Sequence, residues 1–237
     1  MKKYVALGEP SPLLKESLID RGYSVIDLPR FSLLSEPIGC HADMLFFHIA
    51  GKLFTSSAYY AEAKNEIDLI SKKLGAELTL DVHGDYSKYP DEARFNLLRL
   101  GGNVFGNKRS ASPLILDYLK SESIPFIHVN QGYAACSSAV CGGGIITSDV
   151  TLYQAAVSAG APALRISEGH ILLPGYSYGF IGGASGYSAE DNTLYFNGDI
   201  TAHPDYLRIL AFADAFCVRI VSLGSWELTD CGGIFFF

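Results

Sequence analysis

His41 and Asp43 stand two residues apart at the head of the apolar run from Met44 to Ile49. A carboxylate beside an imidazole can orient the ring and stabilise its charged form, so the pair is equipped for acid and base work. In an extended strand, side chains two apart share a face, and both groups are expected to point the same way. Two further aspartates sit in turn-like settings: Asp91 in "YPDEARFN" and Asp230 in "LTDCGG". Each equally suits a local cap, Asp91 after Pro90 and Asp230 ahead of Gly232 and Gly233. The thiols are Cys40, Cys136, Cys141, Cys217 and Cys231. An inert core thiol is the default for any one of them, and Cys40, Cys141 and Cys217 read as packing residues.

Composition excludes several functions. The chain has 237 residues, 49% hydrophobic and 18% charged, enough for a sizeable core and too apolar for disorder. A net charge of -7 and no lysine or arginine cluster argue against nucleic acid. The lysines of "MKKYVALGEP" resemble a signal-peptide start, but Gly8-Glu9-Pro10 ends the apolar stretch too early. No apolar run reaches the roughly 18 residues that span a bilayer. An odd cysteine count without CxxC spacing fits reduced thiols in a cytoplasm. No cofactor is implied, and without His-x-x-x-His spacing or a close carboxylate cluster no metal is expected.

The elements that must position these residues recur. From His41 the order is a strand, a turn at Ala50 to Lys52, a strand, a helix over "YYAEAKNEIDLISKKLG", and a returning strand "AELTL". This ββαβ unit takes about 40 residues, a length typical of repeat arrays. It restarts at "YPDEARFNLLRLGGNVFGN", at "GYAACSSAVCGGGIITSD" and at "GGASGYSAEDNTLYFNGD", with hairpin-type turns in each. Asp91 and Cys136 then stand at the starts of the second and third units' first strands. Half a unit remains at each end: "WELTDCGGIFFF" offers a first strand, and residues 1–29 offer a strand, a helix and a strand. The reading is a single domain of units 41–80, 84–129, 130–167, 179–223, and 226–237 joined with 1–29. Joining the termini would leave no open edge between units. The plainer alternative is a layered α/β protein with irregular alternation.

Five ββαβ units with the fifth split between the termini resemble the pentein propeller, the α/β fold of the guanidino-group-modifying enzymes. The segments "HADM", "GYAACSSAV", "LPGYSYGFIGGASG", "NGDITAHPDY" and "LTDCGG" resemble an uncharacterised bacterial family with that fold. The resemblance implies a site at the ring's centre, where first strands begin. There a His-x-Asp histidine acts as acid and base, carboxylates hold a guanidinium, and a cysteine attacks its carbon. His41-Ala42-Asp43 matches the His-x-Asp motif. The usual nucleophile follows a glycine-rich stretch near the C-terminus, yet here Gly232-Gly233 lead into Ile234 and three phenylalanines. Cys136 is therefore the candidate thiol, with Asp91, Asp230, Tyr178 and Ser185 as candidate substrate-binding residues. Two functions fit: a hydrolase or transferase acting on a small guanidino- or amino-acid-like molecule, or a non-catalytic pentein that binds a ligand or protein.

Overall fold

The computed structural model describes residues 3–237; Met1 and Lys2, assigned above to the fifth unit, lie outside the described residues. The chain opens with β1 (Lys3–Gly8), α1 (Pro12–Asp20) and β2 (Tyr23–Leu28). A short helix α2 (Ala42–Leu45) leads into β3 (Phe46–Ile49) and β4 (Lys52–Ser56), then α3 (Ser57–Glu62), α4 (Lys64–Leu74) and β5 (Glu77–Asp81). Next come β6 (Leu98–Leu100), β7 (Asn103–Gly106), α5 (Pro113–Ser121) and β8 (Phe126–His128). They are followed by β9 (Ser138–Cys141), β10 (Gly144–Thr147), α6 (Val150–Ser158) and β11 (Ala163–Arg165). The last elements are β12 (Ser185–Ser188), β13 (Thr193–Phe196), α7 (Tyr206–Asp214), β14 (Arg219–Ser222) and β15 (Phe235–Phe236).

These strands form five three-stranded sheets: β15-β1-β2, β3-β4-β5, β6-β7-β8, β9-β10-β11 and β12-β13-β14. In every sheet the first strand runs antiparallel to the middle one and the third runs parallel to it. A two-residue hairpin can make the first connection, and a helix must make the second. Ala50 and Gly51 supply the hairpin with positive φ of 46° and 76°, as Gly101 and Gly102 do with 56° and 83°. The chain ends share a sheet, with Val5 opposite Phe236 and Ala6 opposite Phe235. Reciprocal Tyr4–Phe237 backbone hydrogen bonds of 3.0 Å extend that pairing.

Helix packing repeats with the strands. The helices bury Leu14 with Leu18, Ile115 with Leu119, Leu152 with Ala156, and Ile209 with Ala213. Each is an i, i+4 pair, the spacing that puts two side chains on one helix face. The middle strands are covered on both faces, so β10 and β13 are buried at every position. Ser11 and Asp149 cap α1 and α6 by accepting from the first-turn N–H groups.

Four local expectations fail. His41 and Asp43 do not begin a strand: His41 precedes α2, and its carbonyl accepts from Met44 N–H at 2.9 Å. The helix read across "YYAEAKNEIDLISKKLG" is two helices, broken at Ala63, where Glu62 accepts from Ser32 N–H (3.0 Å) and Oγ (2.6 Å). Asp91 begins a 3₁₀ turn, Asp91–Ala93, and the first strand of that unit starts only at Leu98. Cys217 is exposed with φ 55° just beyond α7, which removes it from the packing residues.

Candidate functional site

The segments entering the first strands meet at the molecule's centre. Asp43 comes from α2 ahead of β3, Asn96 lies two residues ahead of β6, and Cys136 lies two ahead of β9. Asp230 arrives from the segment before β15. His41, Asp43, Cys136 and Asp230 are 3%, 3%, 5% and 3% exposed, a cluster closed to bulk water. The ligating atoms of His41, Asp43 and Cys136 all lie within 4.8 Å of one another. Asp230 joins them, its Oδ2 at 3.5 Å from Cys136 Sγ and its Oδ1 at 3.7 Å from His41 Nδ1.

Backbone groups hold Asp230 in place. Its Oδ2 accepts from Phe180 N–H and its Oδ1 from Gly232 N–H, both at 2.9 Å. Gly232 takes φ 75°, and a Cβ there would lie 2.3 Å from His41 Cα. A Cβ on Gly183 would fall 2.0 Å from Asp230 Oδ1. Both positions demand glycine, one for conformation and one for close approach. Asn96 is fully buried and fixes the thiol's segment, its Oδ1 accepting from Ala135 N–H (2.9 Å) and Cys136 N–H (3.1 Å).

The electrostatics are unbalanced. Neither carboxylate oxygen of Asp43 has a hydrogen-bond partner. Among the described residues, no lysine or arginine pairs with Asp43 or Asp230; His41 alone lies within ion-pair range of the latter. Burial first, and Asp230 second, push the Asp43 carboxyl well above its usual range, only partly offset by the Cys136 and Asn96 side chains. Burial and the same two aspartates push the Cys136 thiol well up. Burial lowers the His41 pKa, with Asp230 opposing and Arg30 reinforcing the change. Without a cation the cluster therefore favours a neutral thiol, a neutral imidazole and a protonated Asp43.

Such a set can bind a cation, and it carries a nucleophile with a base in reach. Thiolate, imidazole and carboxylate are also ligands that a divalent transition metal accepts. Spacing rules miss that donor set because Cys136 comes from a different unit than His41 and Asp43.

The remaining candidates fall elsewhere. Asp91 accepts from Asp85 N–H (3.3 Å) and faces Arg94 (3.6 Å), so it caps a peripheral turn and leaves the centre to Asp230. Ser185 opens β12 and lines a central cavity of about 310 Å³. Tyr178 stands one step away, its hydroxyl toward Glu168 (3.4 Å) and its ring against Phe180 (6.3 Å). Cys231 sets its Sγ 3.5 Å from Gly183 O, and burial raises its pKa. Cys141 is fully buried in the core, and Cys40 is half-buried. Asn96 was missed, although "RFNLLRL" places it where "AACSSAV" places Cys136 once the strand is started at Leu98.

Solved structures share this architecture. A dimethylarginine dimethylaminohydrolase, solved as an adduct with 4-chloro-2-hydroxymethylpyridine, superposes with a TM-score of 0.52 at 9% identity, over 96% of this chain and 94% of the other. The product-bound N-terminal domain of a cyanobacterial arginine dihydrolase gives 0.53 at 9% identity, over 94% and 90%. The chain spans 36% of the apo structure of that dihydrolase. An amidinotransferase from Microseira wollei, of the saxitoxin biosynthetic pathway, gives 0.50 at 14% identity, over 93% and 76%. No curated protein matches the sequence. The fold is the five-bladed α/β propeller, the pentein fold, that these structures share. Within it the profile of a family of unknown function, DUF6873, matches residues 8–235, and the chain belongs to that family.

Proposed function

We propose that this protein is a hydrolase or transferase that acts on the guanidino group of a small molecule at the His41, Asp43, Cys136 and Asp230 cluster. One observation carries the reading: two carboxylates, each 3% exposed, lie against a thiol and an imidazole with no lysine or arginine among the described residues paired to either. Buried charge is normally paired, so the missing partner is expected to be the ligand. A guanidinium supplies that charge together with N–H groups in the planar geometry that carboxylates accept. Of the three solved structures, two are named for hydrolysis of dimethylarginine and arginine and the third as an amidinotransferase, which agrees with the reading at the level of the fold.

The residues then have distinct tasks. Asp43 and Asp230 accept from the guanidinium N–H groups, and the bound positive charge makes a thiolate at Cys136 affordable. His41 takes the thiol proton. The sulfur attacks the guanidinium carbon, and the tetrahedral carbon expels an amine that leaves with the proton from His41. Water, or an acceptor amine in a transferase, next gives a proton to His41 and bonds to the carbon. The C–S bond breaks, and the sulfur recovers its proton from His41. With water the products are a ureido compound and an amine or ammonia.

Incubation with arginine, agmatine and methylated arginines, scored for ureido product and released amine, tests the proposal. Turnover that vanishes in Cys136→Ser is expected. Absence of turnover with every compound, together with a Cys136 inert to iodoacetamide, would overturn it. A second reading, a pentein that binds such cations without reacting, draws on the raised thiol pKa. Saturable binding with no product would select it.

A further inference from the structure

The four central groups are almost inaccessible, so a ligand needs a way in. Above the cluster, Phe180 N–H bonds Asp230, and the Phe180 ring stacks on Tyr133 at 6.5 Å between centroids. Gly232 packs against His41 on another side. The cavity of about 310 Å³ offers the alternative route. All five first strands line it, and its lining runs from Asp43, ahead of β3, to His48 near the far end of that strand. Three strand residues at about 3.3 Å each make a wall roughly 10 Å long.

The walls of this passage are of one kind. Phe46, Phe95, Leu98, Phe235 and Ile234 line it, and hydroxyls appear only near the inner end, at Ser138 and Ser185, and on Tyr187. Its volume lies at the low end of the range for small-molecule sites, whose walls are usually apolar with a few placed polar groups. At the outer end stands Arg99, whose guanidinium donates to the His48 carbonyl and has no carboxylate partner among the described residues. One end of the cavity thus holds an unpaired carboxylate, the other an unpaired cation, and the stretch between them is greasy.

Resting on the guanidino reading above, we propose that this cavity is the ligand channel of the site and selects a guanidino compound with a single positive charge on an extended apolar or aromatic stem. The cationic head reaches Asp43, where both carboxylate oxygens lack partners. The stem fills the phenylalanine-lined passage and removes its surface from water. A second positive charge along the stem would sit in apolar surroundings and approach Arg99, which disfavours agmatine. The α-ammonium and carboxylate of free arginine would lose their hydration without partners in the wall.

Calorimetric titration of Cys136→Ser protein, which cannot turn over, with 4-phenylbutylguanidine, agmatine and arginine tests the channel. The phenylbutyl compound is expected to bind at least tenfold more tightly than the other two. Ser185→Leu, which fills the inner wall, should weaken it at least tenfold. Val140→Phe narrows the passage from β9 and serves as the second variant if Ser185→Leu does not fold. Equal or tighter binding of arginine or agmatine, or an unchanged affinity in the folded plugged variants, would overturn the channel. The two proposals fail separately. Phenylbutylguanidine binding that Asp43→Asn abolishes, with no turnover by the wild-type protein, leaves the channel standing and removes the chemistry. Arginine turnover with a KM unmoved by Val140→Phe does the reverse.

Discussion

Asp81 and Asp43 are each 3% exposed, yet the protein treats them in opposite ways. Asp81, at the end of β5, binds Arg94 Nη2 at 2.7 Å, takes the Ser112 hydroxyl, and accepts from His83 N–H at 3.0 Å. Burial alone would raise its pKa, but these three partners together hold it below the ordinary value. Asp43 has the burial without an ion pair, the Cys136 and Asn96 side chains offset it only in part, and its pKa goes up. A carboxylate that completes its own ion pair inside the chain is part of the scaffold. One left open beside a thiol and an imidazole is the kind of perturbed group that clusters at functional sites.

The sharpest way to break this contrast is to take the partner from the scaffold aspartate. Arg94→Met leaves Asp81 charged and buried, and unfolding in urea should show a loss of about 3–5 kcal/mol. A smaller loss would mean that Asp81 is no better satisfied than Asp43. The converse substitution, Asp43→Asn, removes a charge that has no partner. Folding stability at pH 7 should hold or rise, while turnover falls by roughly 10²-fold, the scale set by losing one electrostatic contact to the reacting group. Stability that drops as it does for Arg94→Met would place Asp43 in the scaffold.

pH sharpens the same comparison. Asp43 has a folded pKa above its unfolded value, so its protonated form favours the fold. That contribution is complete below the ordinary value of 3.8 and is lost as the pH rises through the folded pKa. Asp81 has a depressed folded pKa, so its contribution is present above 3.8 and is lost as the pH falls through the folded value. Urea midpoints from pH 3 to 8 should therefore show Asp43→Asn gaining on the wild type as pH rises. Parallel curves would show that Asp43 does not titrate as described. The smallest effect concerns a carboxylate with neither role: Asp149 caps α6, and Asp149→Ala should cost about 1 kcal/mol in the same assay with turnover unchanged.

Much of this arrangement is readable in the residues. Turn pairs such as Gly101-Gly102 and the i, i+4 apolar spacing of each helix act over short distances, so the repeated unit shows in the sequence. Half-units at the two ends predicted the pairing of β15 with β1, and the backbone bears it out. His41, Asp43 and Cys136, which lie together in the structure, stand out in the sequence by residue type and by their place near strand starts. Asp91 does not open its unit's first strand because the chain inserts a 3₁₀ turn and four further residues before β6, which puts Asn96 in the position two residues ahead of it. Tyr178 points its hydroxyl toward Glu168, and the same loop turns the Phe180 ring toward Tyr133 and the Phe180 N–H toward Asp230.

By itself, the order of residues determined which elements form and how they repeat, since periodicity, caps and turn conformations are local properties of the backbone. Only the tertiary structure decided which carboxylates stand beside His41 and Cys136, that no lysine or arginine among the described residues pairs with them, and that phenylalanines line the cavity Asp43 borders. Those outcomes depend on how far each loop advances before its strand begins and on which groups five separate sheets then present to one another. No window of neighbouring residues contains that information.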